Sequence, residues 1–325
     1  MTAEMGSDAG ALIAERYGRA RELFPLLPAG VDDPAVATQQ IADQLHFCES
    51  VAALDGTTLI GFLMGSERTP EPSSPMARYV PERSAVHLVF GHAVAPSADP
   101  FETYAEMFGA LAPRFVDRGV IEHAVHVPLG DAAVEQAWIA LGFGRFDVVA
   151  ARDLSPIAIA RQGNARVRRA TPDDLDVVDR LVDEEAVFHA GSPIFRPYVR
   201  AQTELAVRAE LAEQLASDDF AFFIGSIDGD DVGIVAVTPG FGYVRDGACY
   251  VGATAVLPDS RGGGVGAAVV AAALEWAAGQ GYLRASLHFS SANRTSTRFW
   301  TGVGFVPVMI HYRRRIDERI VTHRP

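Results

Sequence analysis

The feature that most constrains this chain is that roughly fifty residues of its first half can be laid over a stretch of its second without a gap. A shift of 162 positions sets Pro96 on Pro258, Gly119 on Gly281, His126 on His288, Trp138 on Trp300 and Gly142-Phe143 on Gly304-Phe305. The identities fall at turns and aromatics, where backbone geometry and core volume tolerate least change. Further upstream, the Asp55-Gly56 turn pairs with Asp228-Gly229 at a shift of 173, and the Pro-rich stretch 66–84 takes up the difference. One supersecondary plan therefore occurs twice. A chain of 325 residues exceeds one typical domain. Two domains are expected, 1–156 and 165–325, with the polar Arg161-Gln162-Gly163-Asn164 between them.

Hydrophobic periodicity gives each copy its elements. The first opens with a helix over 9–24, then a hairpin through Asp55-Gly56 and a strand over 85–94. A helix over 104–116, a strand over 121–127, a helix over 132–141 and a last strand to Val149 follow. The stretch 66–84, with Pro70, Pro72, Pro75 and Pro81, reads as a solvated surface excursion rather than a lid. In the second copy, Thr171-Pro172-Asp173-Asp174 starts a helix that runs to about Phe188. A loop over 189–198, a helix over 201–216, a hairpin and a mobile connection over 239–247 come next. A strand over 248–257, a helix over 264–279 and a strand over 283–289 then make a parallel strand-helix-strand unit. The fold class is α/β, in the mixed α+β sense.

Between the strand and helix of that unit lies Leu257-Pro258-Asp259-Ser260-Arg261-Gly262-Gly263-Gly264-Val265-Gly266. Glycines admit a ligand to the backbone, and a helix's first N–H groups and dipole favour an anion, so this turn suits a diphosphate. A Walker-type loop needs a lysine, and the chain has none. The dinucleotide fingerprint fits Gly262, Gly264 and Ala267 by letter but wants an acid at the end of the next strand, where Ser290-Ser291-Ala292-Asn293 stands. The remaining pattern is Arg261-x-x-Gly264-x-Gly266, followed by Asn293, the pair Phe299-Trp300 and Gly304-Phe305.

Those residues together resemble the GNAT superfamily of acyl-CoA-dependent N-acetyltransferases. The resemblance implies two tandem GNAT-like domains, each a mixed, largely antiparallel sheet with a splayed parallel strand pair flanked by helices. It implies acetyl-CoA as cofactor, its diphosphate on Arg261, Gly262, Gly263, Gly264, Val265 and Gly266. Its pantetheine arm would meet the backbone of Ala255 and Val256 and the side chain of Asn293, with Phe299 and Trp300 completing the site. The helix after Thr171 and the loop behind it would face the acceptor. The first copy has Asp99, Pro100, Phe101, Glu102, Thr103 and Tyr104 in place of the glycine turn, and Asp131 in place of Asn293. It is expected to be a degenerate copy that holds no coenzyme.

The family's frequent general acid is a tyrosine four residues ahead of the Gly-Phe glycine, where this chain has Trp300. Indole N–H is no acid at neutral pH. His288, twelve residues earlier, matches the place of a general-base carboxylate in one branch of the family, and imidazole titrates near neutrality. Tyr250 is the candidate proton donor. Each has a packing alternative, and His126 keeps the place of His288 in the copy without a cofactor turn. The expected activity is transfer of an acetyl group to a primary amine of a small molecule or peptide by direct attack. The alternatives are a non-catalytic acyl-CoA sensor or pseudoenzyme, and a narrower likeness to the mycothiol synthase family.

The net charge of −13 comes with no basic stripe, which argues against nucleic acid as a partner. No run of 18 apolar residues occurs, so no membrane partner is expected. Met1–Gly10 has no secretory pattern, and Cys48 and Cys249 read as buried free thiols, so a cytoplasmic location is expected. A basic complement made wholly of arginine suits a GC-rich bacterial genome. His123 and His126 point to opposite faces of a strand, and no metal site is expected. A monomer with an internal pseudo-dimer, or a homodimer, is expected.

Overall fold

The last strand of the chain packs into the core of its first half. The computed structural model describes residues 1, 3–157 and 164–323, so the linker placed at 161–164 lies outside the described residues except for Asn164. Through residue 157 the elements are α1 (Gly6–Leu23), α2 (Pro34–Leu45), β1 (Glu49–Asp55), β2 (Thr58–Arg68), β3 (Ser84–His87), β4 (His92–Val94), α3 (Pro100–Val116), β5 (Glu122–Pro128), α4 (Ala132–Ala140) and β6 (Gly144–Asp153). From residue 164 they are β7 (Arg166–Arg169), α5 (Leu175–Ala190), α6 (Arg200–Ala216), β8 (Ala221–Ile227), β9 (Asp230–Pro239), β10 (Ala248–Val256), α7 (Val265–Gly279), β11 (Arg284–Ser290), α8 (Arg294–Gly302) and β12 (Val306–Arg315).

Two of these differ from expectation for local reasons. Helix α2 escaped the periodicity reading, although Asp33-Pro34 announces it: Ala35 N donates to Asp33 Oδ1 (2.8 Å) and proline takes the first turn. The strand expected over 85–94 is two short strands. Its middle turns back on itself, with Gly91 N donating to Leu88 O (2.8 Å), and β4 then pairs with β2.

The chain forms two compact units that are not contiguous in sequence. Unit 1 comprises residues up to Pro70, Val80–Val149 and Pro307 onward. Its strands are ordered β1-β2-β3-β5-β12, and β12 lies antiparallel to β5 from Met309 on Pro128 to Arg315 on Glu122. Ile310 and Tyr312 sit in the unit 1 core with Val125, Val127 and Trp138, and Tyr312 Oη donates to Glu135 Oε2 (2.8 Å). Strands β3 and β5 run parallel, joined across α3.

Unit 2 comprises Glu71–Tyr79 and Ala150–Val306. Its strands are ordered β11-β10-β9-β8-β7. Helices α5 and α6 lay Val178, Leu181, Val207 and Leu211 against Phe222, Ile224, Ile234 and Ala236. Helix α7 also approaches β8 and β9 closely: a Cβ on Gly225 or Gly233 would stand 2.7 or 2.6 Å from Val265 Cγ1.

Unit 1 buries three histidines, His87, His92 and His123, each 1% exposed or less. His87 and His123 stack at 6.1 Å among Trp138, Phe108 and Phe115. Burial pushes their imidazoles down, to about 4 for His87 and about 3 for His123. The folded state thus holds them neutral, while the unfolded chain takes up protons below its ordinary value near 6.5.

Their contribution is therefore complete above that value and is lost as pH falls from it toward 4. Each removes about 1.4 kcal/mol per pH unit over that window. Melting curves between pH 7 and 5 should show this loss, with hydrogen exchange placing it in β3 and β5. A second test concerns β12. Ile310→Ala should cost about 2–5 kcal/mol, as for other buried truncations, and lower amide protection in β5. Unchanged protection in β5 would contradict the pairing.

Candidate active site

Strand β10 changes partners along its length. On one side it pairs with β9 from Cys249 to Val251, then slips by one residue at Gly252-Ala253 and resumes at Thr254, Ala255 and Val256. On the other side it pairs in parallel with β11 at only three positions, Ala248 with Arg284, Cys249 with Ala285 and Tyr250 with Ser286. The two strands run on to Val256 and Ser290, beyond the last paired position. The bulge bends β10, and the parallel pair parts beyond Tyr250. Backbone groups around Ala255 and Val256, both half-buried, border that opening.

The glycine turn follows at once. Gly262 and Gly264 have φ of +81° and +87°, a region that side chains rarely adopt, and Gly264 is the N-cap of α7. No side chain caps this helix at its N-cap, leaving its first N–H groups to a ligand or to water. In unit 1 the corresponding end is closed. Asp99 caps α3 by accepting from Glu102 N (2.9 Å), and Pro100 fills the first turn. A carboxylate therefore occupies the place that an anion would take.

The remaining cofactor candidates fall into two groups. Arg261 is folded onto its own turn, its Nε donating to Val256 O (2.9 Å) and its guanidinium 5.0 Å over the Phe188 ring. Phe299 lies against the first turn of α7, 3.4 Å from where a Cβ on Gly266 would stand. Val265 and Trp300 are buried. Trp300 packs on Phe299 and Phe305, at 4.8 and 5.3 Å, as its repeat partner Trp138 packs in unit 1. Asn293, 4% exposed, caps α8: its Oδ1 accepts from Ser296 N (3.0 Å) and its Nδ2 donates to Ser296 Oγ (2.6 Å). Gly263 completes the turn between Gly262 and Gly264.

His288 and Tyr250 come together. Tyr250 Oη and His288 Nδ1 share a short hydrogen bond where β10 and β11 begin to part, and both side chains are half-buried. The Phe241 ring lies 4.2 Å from Tyr250. The copy in unit 1 has no such pair at the corresponding positions; its bonded histidine and tyrosine, His92 and Tyr104, are buried in the core. The residue that faces Ala124, the counterpart of Ser286, is Val86, and His126 instead stacks on His311 at 3.8 Å. The connection over 239–247 is also firmer than expected, since a short turn buries Tyr243 and Val244 at its middle.

A correction concerns the Pro-rich stretch. Its segment Glu71–Tyr79 belongs to unit 2, where Arg78 is 8% exposed and donates through Nε to Thr203 Oγ1 (3.1 Å) on α6. That segment, α5 and the loop before α6 line a shallow cleft, to which His189, Arg196 and Tyr198 of the expected acceptor loop also contribute. Tyr198 Oη donates to Asp183 Oδ2 (2.7 Å), and Arg200 pairs with Asp179 and Asp183 at 2.8 and 2.9 Å. Sequence reasoning could not find Arg78, because its partners lie more than a hundred positions away. Among the described residues no group of side chains could hold a metal ion, and no helix is long and apolar enough to cross a membrane.

An open glycine turn at the start of α7 thus lies beside a parted parallel strand pair. Residues 187–305 match the model of the Acetyltransferase (GNAT) family. A GCN5-related N-acetyltransferase from Sphaerobacter thermophilus is similar over 97% of this chain and 94% of its own, at 14% identity and a TM-score of 0.57. A glucosamine N-acetyltransferase region in a fungal multi-domain GH3 β-N-acetylglucosaminidase is similar over 85% and 34%, at 12% identity and a TM-score of 0.52. A tandem GNAT protein of the clavulanic acid biosynthesis pathway is similar over 94% and 97%, at 14% identity and a TM-score of 0.49. At these identities the likeness is one of fold, and that fold is the mixed α/β fold of GNAT proteins. A comparison with curated proteins finds no match.

Asn293→Ala should cost about 1 kcal/mol of stability through loss of the α8 cap. Asn293→Asp should cost much less, because Asp131 caps α4 in the same way, accepting from Val134 N (3.2 Å). Denaturant unfolding of the two variants checks this; equal losses would show that the cap is not what Asn293 contributes.

Proposed function

We propose that this chain transfers an acetyl group from acetyl-CoA to a primary amine of a small molecule or peptide by direct attack of the amine. The observation that supports this most is the N-terminus of α7, open and lined by glycine, set against the α3 terminus that Asp99 closes. When bound, acetyl-CoA supplies an acyl carbon activated as a thioester. The N–H groups from Gly262 to Gly266 would hold its diphosphate, with Arg261 bracing the turn through Val256. The β10 edge at Ala255 and Val256 offers backbone groups to an extended arm, in the way a sheet edge takes an added strand. Phe299 borders the arm from α8, Trp300 holds Phe299 from the core, and Asn293 fixes the start of that helix.

His288 accepts the proton that the amine releases on attack, and Tyr250, bonded to its Nδ1, orients the imidazole and passes a proton toward the departing sulfur. Unit 2 carries the reaction, and unit 1, the rest of the first half completed by β12, is the degenerate copy, giving one coenzyme per chain. An acyl-CoA sensor without turnover has the buried Trp300 in its favour, since no phenol stands there. The His288 and Tyr250 pair, absent from the closed copy, weighs against it.

Thiol release from acetyl-CoA across a panel of amines tests the assignment. His288→Ala should lower kcat by about a hundredfold or more, and Tyr250→Phe by less, with acetyl-CoA affinity little changed in either. Unchanged turnover in a folded His288→Ala protein removes the residue from the mechanism.

A further inference from the structure

The cleft beside α5 has walls of a particular chemistry. One carboxyl, Glu185, stands near two guanidiniums, Arg78 and Arg196, both close enough to act on its charge. Arg200, on the same wall, is committed to Asp179 and Asp183. Arg78 is not: its Nη2 is buried without a hydrogen bond, and the nearest carboxylate oxygen, Asp183 Oδ1, is 3.6 Å away. A buried guanidinium N–H left in that state is costly, and a ligand oxygen relieves it. Val182, on the cleft wall, belongs to the same packed cluster as Ala253 and Ala255 beside the β10 opening.

We propose that this cleft receives the acceptor and selects an amino-carboxylate, with the amine against Glu185 and the carboxylate on Arg78. The acceptor role rests on the acyltransferase reading above; the binding chemistry does not. A planar guanidinium fork matches a carboxylate. Asp183, the acid nearest Arg78, is already engaged by Arg200 at 2.9 Å, so a carboxylate guest gives Arg78 Nη2 the hydrogen-bond acceptor it lacks. Burial pushes the Glu185 carboxyl up to about 7, against the pull of Arg196 and Arg78. An arriving ammonium therefore adds to the pull of the two guanidiniums and favours the ionised carboxylate. Arg78 and Tyr79 come from the Pro-rich insertion of the first copy, which has no equivalent in the second.

Calorimetric titration in the presence of CoA, paired with thiol release from acetyl-CoA, tests this. The probes are β-alanine, 4-aminobutyrate and L-α-amino acids, each set against an n-alkylamine of matched length, with aminoalkyl phosphates as a further arm. The wild-type chain should bind the carboxylate-bearing amines roughly tenfold or more tightly than their matches, the size expected for one charge-assisted hydrogen bond. Arg78→Gln should remove that preference while leaving the alkylamines unaffected, and Glu185→Gln should weaken both. The wild-type comparison needs no variant and decides the matter even where Arg78→Gln fails to fold. Equal binding of matched pairs, or a preference for the phosphates, overturns the assignment. Carboxylate-selective binding without thiol release would overturn the acyltransferase reading and leave the selectivity standing. Thiol release indifferent to the carboxylate would do the reverse.

Discussion

The rest of unit 2 depends on one constraint, the point at which β10 stops pairing with β11. A strand edge inside a sheet carries N–H and C=O groups that need partners, and parting two parallel strands leaves a row of them open. The bulge at Gly252-Ala253 bends β10 while keeping its other edge on β9, so the opening forms without loosening the sheet. The helix that follows begins with glycines rather than with a capping side chain. The same few residues thus place an unpaired strand edge and an uncapped helix end side by side. His288 and Tyr250 stand at the apex of the opening, where the last paired residues hold both strands in register.

The two copies show how little is needed to close such a site. Both keep a parallel strand pair and a crossover helix, and both keep a capped short helix after the second strand, through Asn293 in one and Asp131 in the other. The change lies at the start of the crossover helix, where Asp99 and Pro100 replace glycines. A cap side chain satisfies the helix end from within, and the terminus loses its use for an outside anion. The closed copy has spent its freedom on core instead, with His87, His123 and Trp138 packed where burial keeps the imidazoles neutral.

Much of this was legible in the sequence, because repetition and local geometry leave marks there. The glycine turn, the two histidines at equivalent places and the helix start at Thr171 are short-range features, each fixed by a few neighbouring residues. What sequence could not show is long-range. Nothing in Val306–Arg315 says that its neighbour is β5, and nothing in a Pro-rich stretch says that Arg78 will be buried against α6. Tyr250 and His288 stand between these cases: each was a plausible proton carrier alone, but only the parallel register of β10 and β11 brings them into contact. Helix α2 was missed for a different reason, since its start signal was present and its apolar face is short.

The placement of β12 bears on how the chain is made. A polypeptide emerges from its N-terminus, and a domain whose contacts are local can finish folding while the remainder is still being synthesised. Unit 1 cannot. Its sheet needs Met309 beside Pro128, and its core needs Ile310 and Tyr312, so it stays incomplete until all of unit 2 has been translated. Closing so long a loop is slow, and through that interval β5 has an edge without its neighbour. The half of the chain made first is thus the half completed last.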